Sequence, residues 1–218
     1  MKYDKGYVID KWSNWLKDEN LYRLRSEYAR RNYFEPLKLS GYEKIFEFGC
    51  GIGQNIAWHN NSYAYDVNKD VYPMLKKKGI KMFNNTYEIP NEEFDVIITC
   101  MVLEHTPNPI TVIKMLRDKL KPNGRLVTVL PLPHPKIGIR GGLNSTKDGH
   151  LFAWTFYEIN CLLNYCGFEN LVNKKLYLKG IEKFKSFPDS IYFPLLKSFG
   201  RLYNDYDIMI VSKKMEVK

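Results

Sequence analysis

The chain has 218 residues with 33 basic and 24 acidic side chains, which give a formal net charge of +9 at pH 7. Hydrophobic residues make up 44% and charged residues 26%, as in ordinary globular domains that bury a core. No apolar run approaches the roughly 20 residues of a membrane helix, and the amino terminus lacks the apolar stretch of a signal peptide. We therefore expect one cytoplasmic domain over residues 1–218.

Residues 1–40 carry apolar side chains at roughly helical spacing, which predicts a helix in this region. The positions that form the pattern are Trp12, Trp15, Leu16, Leu21, Leu24 and Tyr28. Two interpretations stay open at this point. The helix either packs on the rest of the domain or forms a lid over a binding site.

Predicted strands and helices alternate from residue 44 onward, which is typical of a parallel sheet with helices on both faces. Strands are expected near residues 44–48, 62–66, 80–83, 94–100 and 125–130. Helices are expected near residues 53–59, 69–78, 109–120 and 155–166. Asn108 and Pro109 are favourable residues for the start of the third helix. Thr155 and Glu158 form a capping-box pattern at the start of the fourth.

A glycine-rich turn follows the first predicted strand and is the most informative motif of the chain. Gly49, Gly51 and Gly53 alternate, whereas the dinucleotide fingerprint would need a glycine where Gln54 stands. Glycines at such a turn let a ligand touch bare backbone. Asp66 ends the second predicted strand, where a carboxylate can accept hydrogen bonds from ribose hydroxyls. The pattern predicts a site for a nucleoside-like cofactor that is not a dinucleotide.

These motifs together resemble the class I S-adenosylmethionine (SAM)-dependent methyltransferases, in particular the small-molecule branch (type 11/type 12-like). The resemblance runs from about residue 44 to residue 167. It implies an α/β fold with a three-layer, doubly wound, Rossmann-like sheet of seven mostly parallel strands, the last antiparallel. It also implies two final strands near residues 169–178 and 206–212.

The resemblance implies SAM as the cofactor and a set of residues that hold it. These are Glu47, Gly49, Gly51, Gly53, Asp66, Val67, Asn85, Thr86, Cys100 and Met101. Asn85 and Thr86 stand where the family often has an Asp-Ala pair that meets the adenine. Methyl transfer from SAM is an in-line displacement that needs no metal, and we expect none.

Residues 44–130 are the predicted cofactor-binding half, and residues 131–218 the substrate-side half with an insertion at 180–204. His105 follows the fourth strand, and His134 and His150 lie in the loop after the fifth. All three are candidates for a catalytic base that deprotonates the acceptor. The insertion mixes aromatic and basic residues, which would cover the pocket, pair two subunits or touch a lipid surface, or would simply pack in the core.

Three functions stay open on the sequence. The first is methyl transfer to an oxygen atom of a small-molecule, glycan or lipid-linked acceptor. For this function we expect a monomer or homodimer, with peripheral contact with a membrane as an option. The second is RNA methylation, which the basic charge suits, although the Asp/Asn-Pro-Pro-aromatic motif of base-amine methylation is absent. The third is a non-catalytic cofactor-binding partner protein. We expect the four cysteines (Cys50, Cys100, Cys161 and Cys166) to be free thiols.

Overall fold

The computed structural model describes residues 16–132 and 149–216, so Trp12, Trp15 and His134 lie outside the described residues. Seven strands form one sheet in the order β3-β2-β1-β4-β5-β7-β6. Neighbours among β1 to β5 are parallel, and β7 is antiparallel to both β5 and β6. This is the predicted fold class. The strands are β1 (Ile45–Phe48), β2 (Ser62–Tyr65), β3 (Lys81–Met82), β4 (Phe94–Cys100), β5 (Leu120–Pro131), β6 (Phe168–Leu176) and β7 (Asp207–Lys214).

Five α-helices of the described residues cover the two faces of the sheet. They are α1 (Glu19–Ala29), α2 (Tyr72–Lys77), α3 (Pro109–Lys119), α4 (Phe156–Tyr165) and α5 (Asp189–Leu202). The predicted starts of α3 and α4 are confirmed: Asn108 accepts a hydrogen bond from the Thr111 N–H, and Thr155 and Glu158 form the capping box. Among the described residues, no helix combines the length and apolar composition that crossing a membrane requires.

The helix predicted at residues 53–59 is wrong, because this segment is a series of turns. Side chains take the backbone carbonyls that a helix would use. The Trp58 indole N–H donates to the Asn55 carbonyl, and the Ser62 hydroxyl bonds the Ile56 and His59 carbonyls. Such local side-chain bonds compete with the helical ladder. The predicted helix at 69–78 divides into a 3₁₀ turn (Lys69–Val71) and α2.

Two hydrophobic clusters lie on opposite faces of the sheet and make the three layers. One contains buried side chains of α1, α2 and α5, for example Leu24, Leu75 and Leu196. The other contains buried side chains of α3 and α4, for example Ile113 and Ile159. The sheet is therefore covered on both faces, as parallel sheets generally are.

Most of the segment predicted as an insertion, residues 180–204, is helix α5, and polar contacts fasten it to α1. Arg23 forms an ion pair with Asp189 at 2.8 Å, and Lys185 forms one with Asp18 at 2.6 Å. The Arg31 guanidinium lies 4.5 Å from the centroid of the Phe193 ring. The segment therefore braces α1, which itself contributes to the cavity described next.

Candidate functional site

A cavity of about 540 Å³ opens at the carboxyl ends of the central parallel strands. Its walls come from the turn after β1, the turn after β2, the segment after β4, and the side chains of Arg25 and His150. In open α/β sheets, ligands bind at this edge. The volume falls within the range of small-molecule and cofactor sites.

The three glycines of the turn after β1 all have positive φ angles, but they serve different purposes. A Cβ on Gly49 would lie 2.4 Å from a Val102 methyl, and a Cβ on Gly53 would lie 2.5 Å from a Leu75 methyl. A Cβ on Gly51 would meet nothing within 4 Å. Gly51 therefore offers bare backbone to the cavity. Gly53 does not line the cavity, and the close approach of the Leu75 side chain requires a residue without a Cβ at this position.

Asp66 ties the two cavity-forming turns together. Its Oδ2 accepts a hydrogen bond from the Gly51 N–H at 2.8 Å, and its Oδ1 accepts one from the Asn68 N–H at 2.8 Å. Burial raises the pKa of the Asp66 carboxyl, while these two hydrogen bonds oppose the rise. Each carboxylate oxygen keeps a further acceptor position. Val67 follows at the rim with 65% of its surface exposed.

Glu47 is buried and does not line the cavity. Its Oε1 accepts a hydrogen bond from the Asn55 side chain at 2.6 Å, and its Oε2 has no hydrogen-bond partner among the described residues. Burial, opposed by the Asn55 hydrogen bond and helped by repulsion from Asp66, raises the pKa of Glu47 to about 8. The carboxyl is therefore mostly protonated at neutral pH.

The carboxyl end of β4 brings Cys100 and Met101 to the cavity, as predicted for two cofactor-binding residues. Burial raises the pKa of the Cys100 thiol to about 12, which leaves no thiolate to act as a nucleophile. Asn85 and Thr86 are placed elsewhere: neither lines the cavity, and the Asn85 amide donates to Glu88 at 2.8 Å. Their role at the adenine stays a prediction. All four cysteines are free, as expected.

His105 and His150 meet at the cavity although they are far apart in the sequence. Their ring centroids are 4.7 Å apart, and both line the wall. The Leu151 N–H donates to the Glu104 carbonyl at 2.7 Å, which joins the two segments through their backbones. The third predicted base, His134, lies outside the described residues.

Arg25 of α1 is a cavity residue that sequence reasoning missed. It is only 7% exposed, and its Nη2 donates to the Tyr33 hydroxyl at 3.0 Å. Its Nη1 has no hydrogen-bond partner among the described residues, and Arg25 joins none of the ion pairs found there. One signal was present: an arginine stands among Leu21, Leu24 and Tyr28, on the apolar face of the predicted helix.

The fold and the cavity define a class I SAM-dependent methyltransferase. A family model described as a methyltransferase domain matches residues 18–172, and the chain belongs to this family. S-adenosylmethionine is accordingly its cofactor, as the sequence motifs predicted. A comparison with curated proteins found no match.

Solved structures of methyltransferases share the fold at low sequence identity. A SAM-dependent methyltransferase from Thermotoga maritima has a TM-score of 0.65 and 16% identity, over 96% of this chain and 100% of that chain. A methyltransferase in complex with the Trm112 activator of Haloferax volcanii has a TM-score of 0.68 and 10% identity, over 97% and 99%. The 1,6-didemethyltoxoflavin-N1-methyltransferase of Burkholderia thailandensis, with its acceptor and S-adenosylhomocysteine bound, has a TM-score of 0.61 and 14% identity, over 96% and 84%.

Proposed function

We propose that this protein transfers a methyl group from SAM to an oxygen atom of a small-molecule, glycan or lipid-linked acceptor. One observation carries the proposal: a single cavity has the glycine turn and Asp66 in one part of its wall and two imidazoles, His105 and His150, in another. The first part suits the donor, and the second suits an acceptor that must lose a proton. Methyl transfer requires both molecules in one enclosed space.

The donor's nucleoside would lie against the turns after β1 and β2. Gly51 would let it approach the backbone, and Asp66 would accept hydrogen bonds from the ribose hydroxyls at the acceptor positions that its backbone partners leave. Val67 would cover the outer edge of the nucleoside. Asn85 and Thr86 would reach the adenine only if the cavity extends beyond its present wall.

The donor's amino-acid end carries a carboxylate, and Arg25 offers a suitable partner for it. A buried guanidinium with an unpartnered Nη1 is unfavourable unless an anion compensates it. A rotation of the Arg25 guanidinium would bring its buried Nη1 to the carboxylate, next to Cys100 and Met101 at the end of β4. Helix α1 would then close over this end of the donor, which is the lid interpretation of the amino-terminal segment.

The chemistry is an in-line displacement at the donor's methyl carbon. The acceptor oxygen forms the new C–O bond, the S–C bond breaks, and its electron pair stays on sulfur, which becomes a neutral thioether. The acceptor's proton must leave as well. We assign control of that proton to the wall that contains His105 and His150, with His134 as a further predicted participant.

RNA is the second candidate acceptor, and the net charge of +9 is the observation that favours it. The free cysteines fit a reducing compartment, and we place the protein in the cytoplasm. That the protein is a monomer or homodimer remains a prediction, and so does its peripheral contact with a membrane.

The test uses the purified chain, a donor with an isotopically labelled methyl group, and separate fractions of metabolites, glycans, lipids and RNA from cell extract. Mass spectrometry should find the label in an oxygen-linked methyl group of one of the first three fractions. The Asp66→Ala variant serves as the matched control. Label in RNA alone would establish the second candidate, and label in no fraction would contradict catalysis.

A further inference from the structure

The side chains of Glu104, His105 and His150 converge in the cavity wall. Each offers one ligand atom, and the three atoms all lie within 4.8 Å of one another. Ligand atoms around one tetrahedral ion at about 2.0–2.2 Å lie roughly 3.3–3.6 Å apart, somewhat closer together than the present limit. Small side-chain rotations would therefore bring all three atoms onto a single ion.

The backbone holds this cluster in place. The N–H groups of Leu151 and Phe152 both donate to the Glu104 carbonyl, at 2.7 and 3.3 Å. These bonds fix the segment of His150 against the end of β4. The cluster is therefore an arrangement built by the fold rather than a chance approach of flexible side chains.

A second observation concerns the ring of His105. Its Nδ1 donates to the Gly149 carbonyl at 3.1 Å, so the lone pair of the neutral ring lies on Nε2. That Nε2 lies 3.9 Å from the Glu104 Oε1, which is too long for a hydrogen bond. Two electron-pair donors at this separation suit the coordination of one cation between them. Metal-binding histidines typically donate their other N–H to a backbone carbonyl in this manner.

We propose that Glu104, His105 and His150 bind one divalent transition-metal ion in the wall of the cavity. Two imidazoles and one carboxylate suit Zn²⁺, Fe²⁺ or Co²⁺, whereas Mg²⁺ and Ca²⁺ favour oxygen ligands. Glu104 is fully buried, His105 is partly buried and His150 is exposed. Three protein ligands would leave coordination positions that face the cavity.

The consequence for catalysis rests on the proposed function. An acceptor hydroxyl bound to the ion would lose its proton to water more readily, because the ion stabilises the oxygen anion. The resulting oxygen would then attack the donor's methyl carbon. The sequence expectation that no metal takes part would then be wrong for the acceptor step.

The test uses the full chain after treatment with a chelator. Co²⁺ binding is followed by visible absorption, and Zn²⁺ binding by calorimetry. One ion should bind per chain, and His150→Ala and Glu104→Gln should each weaken binding by at least about 100-fold, the upper effect of losing an outer-shell partner alone. Gln keeps the shape of the buried Glu104 side chain, and His150 is exposed, so both variants should fold. Cys161→Ser, which removes an exposed thiol, is the control and should bind as the wild type does.

Absence of uptake by the wild type would overturn the proposal, and so would uptake that survives at wild-type affinity in either variant. Binding of S-adenosylhomocysteine to the chelator-treated chain separates this inference from the proposed function. If that ligand binds but no ion does, the metal site fails and the proposed function stands. If the ion binds but the ligand does not, the metal site stands and the proposed function fails.

Discussion

Replacing Arg25 by methionine tests the assignment of this residue to the donor's carboxylate. Methionine keeps much of the length of the side chain and removes the charge. In the wild type, the Arg25 Nη1 is buried in the cavity wall without a hydrogen-bond partner among the described residues. The variant should therefore bind S-adenosylhomocysteine, which carries the same carboxylate as SAM, more weakly.

The expected magnitudes follow from the contacts of the guanidinium. A hydrogen bond to a charged group contributes about 1.5–3 kcal/mol, which corresponds to a roughly 10- to 150-fold loss of affinity. The free energy of unfolding without ligand should change by no more than about 2 kcal/mol. The variant loses the hydrogen bond to Tyr33 and the attraction between the guanidinium and the Asp207 carboxyl, but it also avoids the cost of burying a charge.

Calorimetric titration measures the affinity, and two controls isolate the contact. Arg23→Met changes an arginine on the same helix whose ion pair with Asp189 is on the surface, and it should leave the affinity unchanged. The second control is 5′-methylthioadenosine, which has the nucleoside but no amino-acid end. Arg25→Met should bind this ligand as tightly as the wild type does.

Two results would refute the reasoning. If Arg25→Met binds S-adenosylhomocysteine with wild-type affinity, Arg25 does not contact the carboxylate. If the variant loses affinity for both ligands equally, Arg25 shapes the cavity as a whole and does not recognise the amino-acid end.

Gly53→Ala should lower the free energy of unfolding, measured in urea, by more than Gly51→Ala does. Both variants place an alanine at a positive φ angle, which is unfavourable, but only the Cβ at position 53 would lie 2.5 Å from a Leu75 methyl. Equal losses of stability would contradict the packing role of Gly53. Asp66→Asn should weaken donor affinity and also cost about 1–3 kcal/mol of stability, because the amide cannot accept both backbone N–H bonds; a variant with wild-type affinity and melting temperature would remove both roles. Glu47→Gln should flatten the pH dependence of stability. In the native state the pKa of Glu47 is raised to about 8, so the folded protein holds a proton that the unfolded chain releases. Relative to the variant, the wild type should therefore lose stability as the pH rises from about 4.5 to 8, by at most about 1.4 kcal/mol per pH unit. The same pH dependence of unfolding free energy in both proteins would refute the shift.

The turn at residues 53–59 shows where sequence reasoning failed. A helix is predicted there, but side chains of Trp58 and Ser62 bond carbonyls that a helix needs. Trp58 and Asn55 are three residues apart and Ser62 and Ile56 are six apart, so the competing bonds are local. A secondary-structure pattern does not show which backbone carbonyls neighbouring side chains will take.

The sequence by itself determined the features that depend on neighbouring residues. The alternation of strands and helices, the caps of α3 and α4 and the glycine turn all follow from hydrogen bonds and backbone preferences within a few residues. The tertiary structure alone decided which distant side chains meet. Arg25 came to the cavity wall because α1 packs on the sheet, and His150 came to His105 because the backbone of Leu151 and Phe152 bonds the Glu104 carbonyl. No local pattern encodes such contacts, since they depend on how the strands are ordered in space.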